Sequence, residues 1–188
     1  MKSTPLRLLL FCCIAYFPVL AEDWPEFRGP TGQGHSTAEG LPLEWSDRTN
    51  VVWKAAVPGG GWSSPVVAGG VTYLTTAIAK GGEPPRADRD LCALAMEAST
   101  GKQLWQTRIF TQLDKDAPKI HKKNSHASPT PIVEENRLYV HFGHMGTACL
   151  DAVTGSIRWQ TQEHAYAPVP GNGGSPVLTG DLLVFNAD

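Results

Sequence analysis

One nine-residue phrase is written twice in this chain, as Glu97-Ala-Ser-Thr-Gly-Lys-Gln-Leu-Trp105 and as Asp151-Ala-Val-Thr-Gly-Ser-Ile-Arg-Trp159. Both read acid, Ala, any residue, Thr-Gly, three residues, Trp. Asn50-Val-Val-Trp53 is a weaker echo. A self-similar unit with a turn signal in its middle limits the chain to architectures built by stacking one supersecondary unit on copies of itself.

A second element repeats ahead of the first. Ser64-Pro-Val-Val-Ala-Gly-Gly-Val-Thr-Tyr-Leu-Thr75 aligns without gaps on Thr130-Pro-Ile-Val-Glu-Glu-Asn-Arg-Leu-Tyr-Val-His141, and both align on Ser175-Pro-Val-Leu-Thr-Gly-Asp-Leu-Leu-Val-Phe-Asn186. Two apolar residues, a turn of Gly, Glu-Asn or Gly-Asp, and an alternating apolar run form a β-hairpin signature. The Pro heads the first strand, where a missing donor does least harm to a ladder. Each hairpin precedes a second one that turns at Thr100-Gly101 or Thr154-Gly155, where Gly supplies the positive φ of a short bulged turn. The unit is therefore four antiparallel strands, A to D, with Trp in strand D.

Tandem four-stranded units of this length read as blades, so the fold class is all-β, a β-propeller of four-stranded antiparallel blades. The expected organisation is a targeting segment at 1–21, an irregular leader at 22–49, and a partial propeller at 50–188. Within the propeller, 50–57 is a lone D strand, 62–109 and 126–163 are blades, and 171–188 is half a blade. Two blades and two parts cannot close a ring. The chain is thus expected to be the N-terminal part of a longer one, with Asn50–Val57 completing the last blade. Trp53, Trp105 and Trp159, with Gly101 and Gly155, are expected to be structural: the rings cover blade seams, and the turn glycines leave room for them.

Composition narrows the function. Lys2 and Arg7 precede the apolar run Leu8–Leu20, and Val19-Leu20-Ala21 offers a cleavage site after Ala21, which predicts an exported protein. The run is too short to span a membrane comfortably, so no transmembrane helix is expected after cleavage. Of 16 basic residues the segment removes two, leaving 14 against 18 acids and a charge of −4. That charge argues against a nucleic-acid partner, which needs a basic patch. Cys12 and Cys13 leave with the segment. Cys92 and Cys149, at non-equivalent strand positions, read as separate buried thiols. The leader Asp23-Trp-Pro-Glu-Phe-Arg-Gly-Pro30 reads as packed on the outside by Trp24, Phe27 and Trp45, with Arg28 ordering it through carbonyls or an acid.

The phrases ending in Trp105 and Trp159, with the Ser-Pro or Thr-Pro hairpins before them, resemble the pyrroloquinoline-quinone-like (quinoprotein-type) β-propeller repeats over about residues 50–188. The leader Trp24–Pro30 looks like the opening of exported members of that group. The resemblance implies an eight-bladed ring. The family includes quinone-dependent alcohol and sugar dehydrogenases, and also the non-enzymatic lipoprotein that assists outer-membrane β-barrel assembly. Fold does not choose between them. The dehydrogenases hold their quinone over adjacent cysteines and a Ca²⁺ bound by acids and an amide, with an Asp as base. After cleavage the chain has no adjacent Cys pair. Asp88, Asp90, Asp114 and Asp116 are loop acids that no motif groups.

Loop lengths place the candidate site. Pro to Trp spans 40 residues in the first blade (65 to 105) and 28 in the second (131 to 159), with the excess around Ala79–Arg86 between strands B and C. The longest D-to-A connection is Phe110–Ser128. In an up-and-down blade, the B–C and D–A connections share one face, and long loops on a rigid scaffold are where sites form. Most histidines follow: His121, His126, His144 and His164, with His141 near that end of its strand. The candidate ligand-binding residues are His126, His141, His144, Asn124 and Asn172. No catalytic residue and no metal site are assigned, since His141-Phe-Gly-His144 lacks ligand spacing.

The first functional reading is an exported, periplasmic or extracellular scaffold for binding or assembly, without catalysis or cofactor, meeting a protein or small-molecule partner on the long-loop face. The alternative is a dehydrogenase with pyrroloquinoline quinone and Ca²⁺ in the channel. A third is a sugar- or polymer-binding module using rim aromatics such as Tyr166.

Overall fold

The computed structural model describes residues 22–81, 87–164, 166 and 171–187. The targeting segment at 1–21 lies outside them, as does most of the B–C insertion, residues 82–86. Among the described residues no helix is long and apolar enough to cross a membrane.

Two four-stranded antiparallel sheets follow one another. The first runs β1 (Val66–Ala68), β2 (Val71–Lys80), β3 (Asp88–Glu97) and β4 (Gln103–Gln112) in simple up-and-down order. The second repeats that order with β5 (Ile132–Glu134), β6 (Arg137–His141), β7 (Thr147–Asp151) and β8 (Ile157–Thr161). A lone hairpin, β9 (Val177–Thr179) and β10 (Leu182–Val184), starts a third unit. These are propeller blades, and the expected strands A to D appear where the repeats put them.

Local chemistry explains each turn. The A–B hairpins pair Ala68 with Val71, Glu134 with Arg137 and Thr179 with Leu182, so each loop has two residues. Such loops favour positive φ. Gly69 and Gly70 take 56° and 76°, Gly180 takes 56°, and Glu135 takes 51° without being glycine. At the C–D turn the repeat's acid is a cap. One Asp151 carboxylate oxygen accepts from Val153 N, Thr154 N and the Thr154 hydroxyl, and the other accepts from Arg158 Nη2 at 2.7 Å. Glu97 accepts from the Thr100 hydroxyl in the same way.

Two stitches join neighbouring units. Trp53 Nε1 donates to Ala98 O at 2.8 Å, and Trp105 Nε1 to Ala152 O at 3.0 Å. The rings lie on the turn glycines of the next unit: a Cβ on Gly101 would stand 2.4 Å from Trp53, and one on Gly155 2.6 Å from Trp105. Thr-Gly and Trp therefore recur together because each Trp needs its neighbour's Gly. The second stitch uses the residue before each repeat Pro. Ser64 N donates to Thr130 Oγ1 at 3.1 Å, and Thr130 N to Ser175 Oγ at 3.0 Å.

The core lies between the sheets. Strands β3 and β7 are buried on both faces, and Leu91, Ala93, Ala95, Leu138, Val140, Phe142 and Leu150 form one cluster with Phe110. Cys92 and Cys149 are free and buried within those strands.

Two expectations change. Asn50–Val57 is not a strand, because no ladder partner meets it among the described residues; only Trp53 keeps its repeat position. The leader is not an outer wrap. Trp24 pairs with Val67 of β1, Trp45 is 72% exposed, and the Arg28 guanidinium sits 5.6 Å from the centre of the Phe27 ring rather than on an acid.

Candidate functional site

The D–A connections meet at the long-loop face because glycine lets them approach a strand. Gly60 and Ala77 exchange backbone hydrogen bonds of 3.0 and 2.9 Å. A Cβ on Gly59 would lie 2.4 Å from Ala77 O, and one on Gly61 2.7 Å from Thr75 O. Trp62 N and Ser63 N then both donate to Ala127 O, at 3.0 and 3.2 Å, tying the first connection to the second.

A polar cluster forms where β4, the B–C turn of the second blade and the next D–A connection converge. The B–C turn is the short 3-10 segment Gly143–Met145. Asn172 Nδ2 donates to Phe142 O at 3.3 Å and lies 3.1 Å from His144 Nδ1. The Gln112 amide lies 2.9 Å from His144 Nε2. A neutral imidazole has one donor and one acceptor. Asn172 donates to Nδ1, so Nε2 carries the proton; Gln112 faces it with its own Nε2, and only with that amide turned end for end does Oε1, buried without a partner, accept the bond. Gly143, with φ of 57°, is needed here: a Cβ would fall 1.7 Å from the Asn172 side chain.

His141 sits beside this cluster, 2% exposed. Its Nδ1 is 2.9 Å from Thr147 Oγ1 and its Nε2 3.3 Å from the Tyr166 hydroxyl, while Phe185 stacks on the ring at 4.2 Å. Burial pushes His141 down to about 4, and lowers His144 too. Both rings are neutral at pH 7.

Asn124 and His126 belong to a second group. Asn124 Oδ1 accepts from Ser125 N and the Ser128 hydroxyl, and its amide packs against Gly171. His126 lines a cavity of about 550 Å³ together with Gly59, Gly61, Trp62, Arg89 and Lys122. Desolvation first, then the Arg89 cation and His144, push His126 down to about 4. Its Nδ1 is buried without a hydrogen-bond partner. Trp62 is 57% exposed at this opening.

All five candidate residues therefore lie on the long-loop face, in two adjoining groups. Sequence reasoning missed Gln112, Trp62 and Arg89. Gln112 had a signal: it and Tyr166 each stand seven residues after their Trp (105 to 112, 159 to 166), and each reaches a rim histidine.

Ca²⁺ takes several oxygen ligands, mostly carboxylates. No Asp or Glu lines the 550 Å³ cavity among the described residues; its polar side chains are amide, hydroxyl, imidazole and cationic groups, set beside the apolar Trp62, Ile120, Ala77 and Ala79. Asp114, in the adjoining cleft, accepts from Ala87 N. The lining of this cavity supplies none of the carboxylates that Ca²⁺ takes.

A family model described as outer membrane protein assembly factor BamB matches residues 43–108 and, overlapping, 92–188. Among solved structures, a quinohemoprotein alcohol dehydrogenase from Pseudomonas putida HK5 is similar at 19% identity and a TM-score of 0.45, over 71% of this chain and 17% of that one. BamB from Moraxella catarrhalis is similar at 14% identity and a TM-score of 0.35, over 64% of this chain and 32% of that one. The chain thus spans less than a third of either structure. A search of curated proteins finds no match.

Proposed function

Since the chain belongs to the propeller-repeat family described by outer membrane protein assembly factor BamB, we propose that it is part of an exported, non-catalytic scaffold that meets its partner on the long-loop face. The observation that carries this reading is the state of two of the rim histidines. His141 and His144 each have both ring nitrogens within hydrogen-bond reach of groups of the fold, and burial keeps them neutral. Such groups brace loops, and a general base needs a nitrogen turned to its substrate. The braced loops frame an exposed Trp62 and the 550 Å³ opening, which suits a side chain or small organic group of a partner.

Two experiments on the full-length protein test it. Photo-crosslinking residues at Trp62 or Lys122 are expected to capture a partner, whereas the same residue at Lys102 or Thr154, beside the C–D turns, captures none. The reverse pattern sinks the reading. In the second, pyrroloquinoline quinone and Ca²⁺ are added and the absorption spectrum is recorded. No bound chromophore and no dye-linked alcohol oxidation are expected; their appearance establishes the dehydrogenase instead.

A further inference from the structure

The leader Asp23-Trp-Pro-Glu-Phe-Arg-Gly-Pro30 has no part in the long-loop face. Its place follows from the geometry of the A strands. In each A–B hairpin the two-residue loop makes the closing pair the hydrogen-bonded one, so the next residue inward turns its N–H and C=O to the open edge. Those residues are Val67 in β1, Val133 in β5 and Leu178 in β9. Strands β1 and β5 are the edges at which the two sheets approach each other.

The leader lies between these edges. Trp24 N donates to Val67 O at 2.7 Å, and Val67 N to Trp24 O at 2.9 Å. In an extended strand the next residue faces the other way. That residue is Pro25, and its carbonyl accepts from Val133 N at 2.8 Å. Proline has no N–H to leave stranded on the second edge. Asp23 adds a third tie, accepting from Gly69 N in the β1–β2 turn at 3.0 Å. The remainder of the motif folds back to hold Trp24. Arg28 and Gly29 both take positive φ, 67° and 74°, and a Cβ on Gly29 would lie 2.7 Å from the Trp24 ring.

We propose that the open edges of β1 and β5 form a β-strand-addition site for an extended Asp-Trp-Pro peptide, and that the chain's own leader is its resident ligand. Strand addition takes affinity from backbone bonds and specificity from alternate side chains. Here one residue pairs with each blade, so the peptide is a crossbar between two units. The Ser64–Thr130 stitch and Trp105 join the same two units elsewhere. The site lies by the A–B turns, opposite the long-loop face, and does not depend on what that face binds.

The test needs the leader to become a separate peptide after folding. Residues 37–41 are exposed, so a protease site placed there in the full-length protein can be cut in the native state. A fluorescent peptide of residues 22–34 is then added in excess overnight. Saturable incorporation into the cut protein, with none into the uncut protein, is expected. Amide exchange at Val67 and Val133 should quicken about ten-fold or more after the cut leader is washed away, and slow again with the peptide. A peptide carrying Asp23→Ala should bind several-fold more weakly, and one carrying Gly29→Val more weakly still. Equal labelling of cut and uncut protein, or no labelling with unchanged exchange at Val67 and Val133, overturns the proposal.

Discussion

His141 shows what the rim asks of a residue. Burial holds it at about 4 against an ordinary value near 6.5, and His126 is held as low. A histidine whose folded value is depressed favours the folded state fully above about pH 6.5, and that contribution is lost as pH falls towards the folded value. The melting temperature should therefore drop between about pH 6.5 and 4, and calorimetry across that window checks it. His141→Asn should be less stable at pH 7 by about 1–3 kcal/mol, since it gives up the Tyr166 contact and the stacked ring, yet it should show a flatter pH slope. An unchanged slope would mean that His141 is not the group titrating. The sequence placed these histidines at the long-loop end of the blades because the up-and-down strand order and loop length fix which end of a blade a residue reaches. It did not disclose Gln112 as the partner of His144, because that contact joins two blades. Within one strand Gln112 reads only as a polar strand end.

At the scale of the element, the seam is a pair: a Trp in one unit and a Gly in the next. Trp105→Phe keeps a ring over Gly155 and loses the bond to Ala152 O, so it should cost about 1 kcal/mol in chemical denaturation. Gly155→Val should cost more, because its φ of 73° strains a β-branched residue and its Cβ lands on the Trp105 ring. With Trp105→Ala already present, Gly155→Val should lose the steric part of its penalty, so the double variant is less destabilised than the sum of the singles. Additive costs would deny that ring and turn act as a unit. This element was almost wholly legible, since Thr-Gly and Trp occur at fixed spacing. The pairing across units was not, because spacing in one chain does not say whose Gly a Trp meets. Asn50–Val57 marks the limit of pattern reading. Its Trp53 carries the repeat's signal and makes the repeat's bond, while the segment has no ladder to make it a strand.

At the scale of the whole molecule, strands β3 and β7 are buried on both faces because each blade covers the next. Their cysteines report on that cover. Burial pushes the Cys92 thiol up to about 11 and raises Cys149 as well, so neither presents a thiolate at pH 7 while the blades are stacked. Alkylation must then wait for opening. Repeat arrays held only by weak neighbour contacts unfold unit by unit, whereas arrays with strong seams unfold together. Several ties cross the seam between the two complete blades, among them the Trp105 bond, the Thr107 hydroxyl bond to Gly155 O, the Ser64–Thr130 hydroxyl stitch, the Gln112–His144 contact and the Pro25 crossbar. We therefore expect the full-length protein to expose Cys92 and Cys149 to a thiol reagent over the same urea range. Mass spectrometry of the two cysteine peptides reads this directly. Cutting the leader should separate the two profiles if the crossbar carries part of the coupling. Should Cys149 react well before Cys92 in the uncut protein, the blades behave as independent units and these ties do not act as a seam.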